Sequence, residues 1–267
     1  MYQKYWGLSA SPFQNVPDPN FYYPSAIHQE GLKRLLYTVE HGKGAAMLTG
    51  EIGCGKTTLA RAFMNLLTEE KYDLALITNP DLSRDEFLHE VDRQFTIEAP
   101  GRSKGELWRA LTARCSKNLA AGKETVLIVD EAHSIRDEEV FEELRQILNL
   151  QLNDRYLITL ILLGQPELKE RVARNRQLDQ RIAIRYHLGP LDWAETLKYV
   201  HHRLQLAGSK REIFSPEALQ LIWQYSRGIP RNINNLADFC LLGGFQTQGP
   251  VIDGAMVRKA ATEIAIV

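Results

Sequence analysis

Short apolar segments alternate with amphipathic segments over residues 40–190. The apolar segments have the length of strands, and the segments between them carry apolar residues at helical spacing. Strands this apolar, separated by helices, are typical of a parallel sheet that is covered on both faces. The predicted fold class is therefore α/β, a doubly wound parallel sheet whose ligand should lie at the carboxyl ends of the strands. The five predicted strands are Ala45–Thr49, Leu74–Thr78, Val126–Val129, Leu157–Leu163 and Ile184–Leu188.

The same periodicity predicts the helices and a division into two domains. The residues up to Pro24 are rich in aromatic residues and prolines, which disfavour helix, so we expect an ordered extended arm before a helix from Ser25 to Glu40. After Gly189-Pro190 only helices are predicted. We therefore expect an α/β domain over residues 1–190 and a small helical domain over 191–267. The other predicted helices are Lys56–Leu67, Ser103–Ala121, Glu138–Leu152, Ala194–Leu206, Ser215 to Gly228, Asn232–Leu242 and Asp253 towards Ile264.

Residues 50–57 match the phosphate-binding loop G-x-x-x-x-G-K-[ST] without deviation. The glycines allow backbone conformations in which several N–H groups point at phosphate oxygens. Lys56 is predicted to reach the β- and γ-phosphates, and Thr57 to offer its hydroxyl to Mg²⁺. The alternative is a glycine-rich turn that binds no ligand, but such a turn does not need a strand before it and a helix after it, and both are predicted here. We therefore predict that this loop binds ATP with Mg²⁺. The predicted nucleotide-binding residues are Gly50, Glu51, Ile52, Gly53, Cys54, Gly55, Lys56, Thr57 and Thr58.

The apolar strand at Val126–Val129 ends in two acidic residues, Asp130 and Glu131. Asp130 is predicted to hold the Mg²⁺ ion with its water shell beside the phosphate loop. Glu131 can polarise an attacking water as a general base. A solvated pair of acids at a strand end is the alternative, but the phosphate loop earlier in the chain favours ATP hydrolysis.

Composition and charge exclude several classes of protein. The formal net charge is −1, so no overall basic field indicates nucleic acid or an anionic membrane as partner. The three cysteines are an odd number and widely spaced, which argues for reduced thiols. Neither a signal peptide nor a run of roughly 18 apolar residues is present in the sequence. We expect a cytoplasmic protein that does not itself insert into a membrane.

Residues 130–133 spell Asp-Glu-Ala-His, the tetrapeptide of one helicase family. A helicase needs a second lobe of the same kind, and the residues after 190 are helical and too few to form it. We therefore interpret His133 as a polar residue that follows the strand. His201 and His202 are adjacent on a predicted helix and point different ways, so they do not indicate a metal site.

The chain resembles the AAA+ ATPases, and more narrowly the general secretion pathway protein A (ExeA/GspA-like) family of secretion ATPases. The resemblance covers nearly the whole chain. The residues that carry it are Tyr5-Trp6-Gly7-Leu8 with Pro12-Phe13, Pro17-Asp18-Pro19, Leu48-Thr49-Gly50-Glu51, Gly164-Gln165-Pro166-Glu167-Leu168 and Gly228-Ile229-Pro230-Arg231-Asn232-Ile233-Asn234.

The resemblance implies roles for four further polar residues. Gln165, after the fourth strand, matches the sensor 1 position, which contacts the γ-phosphate or the attacking water. Arg231 matches the sensor 2 arginine, which reaches the phosphates from the helical domain. Asn79, after the second strand, matches the position that holds the catalytic glutamate, here Glu131, inactive until a partner protein binds. A strand-capping amide at Gln165 and a surface arginine at Arg231 are the structural alternatives.

Arg181 lies just before the fifth strand, where AAA+ proteins place the arginine finger. A guanidinium inserted into a neighbour's site stabilises charge on the transferring phosphoryl group, which implies a homo-oligomer that forms with ATP. Arg185 is the rival for this role. Arg171, Arg174 and Arg176 form either a solvated or an anion-binding face. The aromatic arm, with Phe13, Phe21, Tyr22 and Tyr23, packs either near the adenine or simply against the protein.

The resemblance further implies an ATP-driven switch or remodeller whose partners are proteins of a secretion, pilus or polysaccharide-export system. Founding members of the family carry a membrane span and a periplasmic peptidoglycan-binding region after the ATPase part. The 267 residues correspond either to the ATPase part of a longer protein or to a stand-alone cytoplasmic relative, placed at the inner membrane through its partners.

Two other functions are open from the sequence. An ATP-dependent DNA-binding regulator of transposition would bind duplex DNA with a steep salt dependence. Residues 191–267 carry only one excess positive charge, eight Lys and Arg against seven Asp and Glu, which argues mildly against it. A small-molecule phosphotransferase would transfer phosphate to an added acceptor, and Glu131 argues against it because that residue activates water.

Overall fold

The computed structural model describes residues 1–16, 21–97, 103–152 and 155–264. The chain divides into two units. The helical unit consists of Met1–Gln29, Ile52–Thr58 and Gly189–Val267, and the sheet unit consists of Glu30–Glu51 and Leu59–Leu188. The division predicted at residue 190 assigns the first 29 residues to the α/β domain, whereas here they group with the C-terminal helices. None of the described helices is both long and apolar enough to cross a membrane.

A five-stranded parallel sheet forms the centre of the sheet unit, as predicted. Its strand order is β2-β3-β6-β1-β7, so β6 lies between β3 and β1. All six residues of β1 and all six of β6 are buried, as expected for strands covered on both faces. The strands are β1 (Ala45–Gly50), β2 (Tyr72–Ile77), β3 (Glu124–Val129), β6 (Thr159–Gly164) and β7 (Ile182–Leu188), with a separate antiparallel pair β4 (Gln151–Leu152) and β5 (Arg155–Tyr156).

Register brings the polar strand ends of the sheet to one edge. Val129 pairs with Leu162 between β3 and β6, and Thr49 pairs with Gly164 between β1 and β6. The residues that follow β3, β6 and β1 are therefore neighbours at the carboxyl edge, which is where open α/β sheets bind ligands.

Helices follow the strands of the sheet. The helix predicted over Glu138–Leu152 ends at Ile147, because Gln151 and Leu152 pair with β5 instead. Four described helices are absent from the predicted set, namely Tyr2–Trp6, Arg84–Gln94, Glu167–Arg174 and Arg176–Asp179. The helices from residue 26 to 179 are α2 (Ala26–Glu40), α3 (Lys56–Leu66), α4 (Arg84–Gln94), α5 (Lys104–Ala120), α6 (Glu138–Ile147), α7 (Glu167–Arg174) and α8 (Arg176–Asp179), with a 3₁₀ turn at Ala132–Ser134.

The helical unit packs the N-terminal segment against four C-terminal helices. The predicted extended arm contains a short helix, and its Pro17-Asp18-Pro19 motif lies outside the described residues. Trp6 is buried, and its indole N–H donates a 2.8 Å hydrogen bond to the Leu241 carbonyl. Phe13 lies in the same core. The helices are α1 (Tyr2–Trp6), α9 (Trp193–Leu206), α10 (Pro216–Ser226), α11 (Pro230–Thr247) and α12 (Gly254–Glu263).

Arg203 of α9 holds the arm in place within this unit. Its guanidinium donates hydrogen bonds to the carbonyls of Pro12 and Gln14 and lies 4.9 Å from the ring centroid of Phe21. The arginine is 7% exposed, and a buried cation of this kind is stable only when its donors are satisfied. Arg203 therefore joins the arm to α9 at Pro12, Gln14 and Phe21.

Gly228 forms the turn between α10 and α11, with φ +71°. A Cβ at this position would lie 1.9 Å from the Leu191 carbonyl oxygen. We expect Gly228→Ala to destabilise the fold by about 2–4 kcal/mol, because it combines a left-handed conformation with a backbone clash. Gly243→Ala, inside α11 with no atom within 4 Å of the added carbon, should be neutral or stabilising. Urea unfolding compares the two, and equal losses would contradict this account of the turn.

Candidate functional site

The loop that connects β1 to α3 has the backbone shape that a phosphate cradle requires. Gly53 and Gly55 have φ values of +84° and +95°, in the region that only glycine adopts without strain. A Cβ on Gly53 would lie 2.6 Å from the Cβ of Arg231, and one on Gly55 would lie 2.7 Å from His28 Nε2. The motif glycines are thus needed for both conformation and space, and the loop fits a bound phosphate chain.

Lys56 and Thr57 begin α3, directly after the glycine-rich turn. Lys56 is only 6% exposed although lysine side chains are rarely buried. The first N–H groups of a helix have no partner within the helix, so this terminus attracts anions. The residue types and the backbone therefore agree with the predicted nucleotide-binding segment, residues 50–58.

Arg231, predicted as sensor 2, lies next to the phosphate loop within the helical unit. Its backbone N–H donates a 3.3 Å hydrogen bond to the Gly53 carbonyl. Arg231 is the second residue of α11, after Pro230, and its side chain is exposed. The first turn of α11 is thus bonded directly to the loop.

His28 also contacts the phosphate loop, and sequence reasoning missed it. Its Nε2 lies 3.0 Å from the Cys54 carbonyl, and its Nδ1 lies 2.6 Å from Ser25 Oγ. Burial lowers the pKa of His28, which favours the neutral ring. Since a carbonyl can only accept, Nε2 carries the proton and Nδ1 accepts from the serine hydroxyl. The only local signal was the spacing Ser25-x-x-His28.

Asp130 and Glu131 follow β3 in different environments. Asp130 is 3% exposed, and its carboxylate accepts a 2.9 Å hydrogen bond from the Glu131 backbone N–H. Glu131 has φ +52°, which is uncommon for a residue with a side chain, and its carboxylate is about half exposed. A buried carboxylate beside an accessible one is an arrangement that can hold a cation and accept a proton from water.

Gln165 follows β6 and lies next to the turn after β3. Its side-chain nitrogen is 2.6 Å from His133 Nε2, and His133 Nδ1 is 3.3 Å from a carboxylate oxygen of Glu131. The ring of His133 thus lies next to both Gln165 and Glu131. The contact of His133 with Gln165 was not predicted, because it depends on two strands that meet only in the folded sheet.

Asn79 lies two residues beyond β2, and its side chain is exposed. Within the described residues it makes no hydrogen bond with Glu131. The carboxylate of Glu131 lies beside the ring of His133 instead. The predicted role of Asn79 as a restraint on Glu131 stays a prediction.

The candidate arginine fingers differ in their partners. Arg185 forms a 2.9 Å ion pair with Asp179, and Arg171 forms a 3.0 Å ion pair with Glu138. Arg181 donates a 3.1 Å hydrogen bond to the Arg145 carbonyl and has no carboxylate at ion-pair distance in the part of the chain that the structure describes. Of the two rivals, Arg181 therefore keeps the uncompensated charge.

The sequence profile of the AAA domain family matches residues 39–172, half of the chain. The chain therefore belongs to this family. Together with the strand order and the phosphate loop, this defines the class of protein as an AAA+ P-loop ATPase.

A curated relative specifies the class further. The chain is 38% identical over 268 aligned residues to General secretion pathway protein A of Aeromonas hydrophila. The alignment covers 99% of this chain and 49% of the relative, so the chain spans about half the length of that protein. The chain is an AAA+ ATPase related to general secretion pathway protein A, as the sequence motifs indicated.

Solved structures share the fold at low sequence identity. The Aeropyrum pernix ORC2 protein in ADPNP–ADP complexes has a TM-score of 0.70 and 18% identity, with 96% of this chain and 71% of that chain covered. CDC6P from Pyrobaculum aerophilum has a TM-score of 0.69 and 17% identity, with 92% and 71% covered. The Thermotoga maritima RuvB Holliday junction branch migration motor has a TM-score of 0.56 and 20% identity, with 88% and 68% covered. These similarities establish the fold alone.

Proposed function

We propose that the chain binds Mg-ATP at residues 50–58 and hydrolyses it to ADP and phosphate. The observation that supports this most strongly is the carboxyl edge of the sheet. There β1 leads into the phosphate loop. Gln165 follows β6, the strand next to β1, and Asp130 and Glu131 follow β3, the strand next to β6. P-loop ATPases bind the nucleotide and activate water at this edge.

In this proposal each polar residue has one role. Lys56 contacts the β- and γ-phosphates, and Glu131 accepts a proton from the attacking water. Gln165 donates a hydrogen bond to the γ-phosphate or to that water. Arg231 contacts the phosphates from α11, and the hydrogen bond of its backbone N–H to the Gly53 carbonyl joins α11 to the phosphate loop.

Thr57 and Asp130 are the residues that would hold Mg²⁺. A hydroxyl and a nearly buried carboxylate are ligands that this cation prefers. When bound, the ion neutralises charge on the β- and γ-phosphate oxygens.

We further propose that ATP binding assembles copies of the chain into an oligomer through Arg181, and that hydrolysis resets it. The relation to general secretion pathway protein A supports partners in a secretion, pilus or polysaccharide-export system. The protein would work in the cytoplasm, at the inner-membrane face through those partners. No observation favours the DNA-binding alternative over this role.

Mixed mutants test hydrolysis and the arginine finger together. The wild-type protein should release phosphate from Mg-ATP, while Lys56→Ala alone and Arg181→Ala alone should be inactive. Mixing the two should restore part of the activity, because the intact finger of one subunit serves the intact pocket of the next. Arg109→Ala, an exposed arginine on α5, is the matched control and should keep full activity.

Phosphate release is the measurement. Absence of recovery in the mixture, with both variants folded, would remove the finger assignment. A wild-type protein that binds ATP but releases no phosphate would contradict the proposed hydrolysis.

A further inference from the structure

Two consecutive carbonyls of the phosphate loop accept hydrogen bonds from residues outside the loop. The Gly53 carbonyl accepts from the Arg231 backbone N–H at 3.3 Å, and the Cys54 carbonyl accepts from His28 Nε2 at 3.0 Å. All four residues belong to the helical unit. The loop is therefore held by a histidine side chain as well as by the first turn of α11.

The contacts of the His28 ring fix its orientation and its proton. Nδ1 lies 2.6 Å from Ser25 Oγ, and the Tyr22 ring packs against the imidazole edge to face, with centroids 6.4 Å apart. His28 is 6% exposed, and burial lowers its pKa, so the ring is neutral and has a single N–H. Since a backbone carbonyl can only accept, that N–H is on Nε2 and is directed at Cys54.

This hydrogen bond sets the direction of one peptide group of the loop. The Cys54–Gly55 peptide is trans, so its N–H points away from its C=O. Because the C=O is directed at His28, the Gly55 N–H is directed to the opposite side of the peptide. The ring also lies directly against Gly55, where an added Cβ would be 2.7 Å from Nε2. In loops of this kind the backbone N–H groups bind the α- and β-phosphates of the nucleotide.

We propose that His28 is a positioning residue that holds the Cys54–Gly55 peptide with its N–H directed at a bound phosphate group. The inference rests on the proposed binding of Mg-ATP. Without the imidazole donor the peptide can rotate towards water, and the two neighbouring glycines, Gly53 and Gly55, do little to prevent this. ADP and ATP share the phosphates that the loop binds, so His28 contributes to the binding of both.

Affinities for Mg-ADP and Mg-ATP test this role. His28→Leu should weaken the binding of both nucleotides by about 10- to 100-fold, because the donor to the loop is lost. His28→Gln should bind both within about threefold of the wild type, since its side-chain N–H can replace Nε2–H. His89→Leu, at an exposed histidine on α4, is the matched control and should bind both like the wild type.

Turnover gives a second readout that a merely structural role would not produce. His28→Leu should raise KM for ATP and keep kcat within about threefold, because the loop contacts the phosphates equally in the ground state and the transition state. Unchanged affinity in His28→Leu, a loss confined to ATP, or no recovery in His28→Gln would overturn the inference alone. A folded wild-type protein that binds neither nucleotide would overturn the proposed function with it.

The peptide itself can be observed without nucleotide. Cys54-Gly55 is the only Cys-Gly pair in the sequence, so ¹³C-carbonyl cysteine with ¹⁵N-glycine labels a single coupled amide, that of Gly55. Its NMR signal should move in His28→Leu and stay near the wild-type position in His28→Gln and His89→Leu. A Gly55 signal that ignores the loss of the imidazole would overturn the inference even where nucleotide binds.

The proton on the ring is measured on the wild type, so it decides even if His28→Leu does not fold. In ¹⁵N-histidine spectra the His28 signals, assigned by their absence in His28→Gln, should report a proton on Nε2. Ser25→Ala should shift the Nδ1 signal and leave the proton on Nε2, because the serine hydroxyl donates to Nδ1. A proton on Nδ1 in the wild type would overturn the inference.

Discussion

Replacing Glu131 by Gln is expected to leave ATP binding intact and to lower turnover by about 10²- to 10⁴-fold. The amide has the shape of the carboxylate but cannot accept a proton from water, so only the base is lost. The left-handed backbone conformation of residue 131 favours neither glutamate nor glutamine, so the turn should keep its conformation in the variant. Phosphate release under saturating Mg-ATP measures the loss, and a fluorescent ATP analogue measures the binding.

Glu170→Gln is the matched control for this variant, because it removes an exposed carboxylate of the same unit, five residues beyond Gln165. It should turn over ATP at the wild-type rate. The Glu131→Gln protein should also accumulate in the ATP-bound oligomer, which size-exclusion chromatography detects. Turnover within a few-fold of the wild type would show that another group activates the water.

Replacing Lys56 by Ala is expected to weaken ATP binding by about 2–5 kcal/mol, or roughly 30- to 4,000-fold in Kd. The lysine is 6% exposed, so its ammonium acts in a site with little water to screen it. Lys169→Ala, an exposed lysine on α7, should bind ATP like the wild type. Similar affinities for the two variants would mean that the phosphates lie elsewhere.

The sheet could be predicted from the sequence because its signal is local. Each strand is a short apolar run, and five such runs between helices admit few arrangements. Helix α7 escaped prediction because it buries few side chains: only Leu168 and Val172 are buried. The prediction ran α6 too far because the pairing of Gln151–Leu152 with Arg155–Tyr156 is not visible in helical periodicity.

Part of the candidate site could likewise be predicted from local sequence, and part depends on contacts formed only in the fold. The phosphate loop and the acidic pair are contiguous motifs, so their chemistry could be predicted from residue types alone. The contacts of His28 with Cys54 and of His133 with Gln165 join residues that are 26 and 32 positions apart in the sequence. No sequence spacing predicts such contacts. The packing of Trp6 under Leu241 is of the same kind, and it stabilises a helix of five residues that would not form alone.

Calorimetric titration of the wild-type protein with ATP, with and without Mg²⁺, tests the central claim most directly. The account predicts saturable binding of one nucleotide per chain that strengthens with Mg²⁺ and is lost in Lys56→Ala. A folded wild-type protein that takes up no nucleoside triphosphate in the presence of Mg²⁺ would contradict the proposed site and every role assigned to its residues.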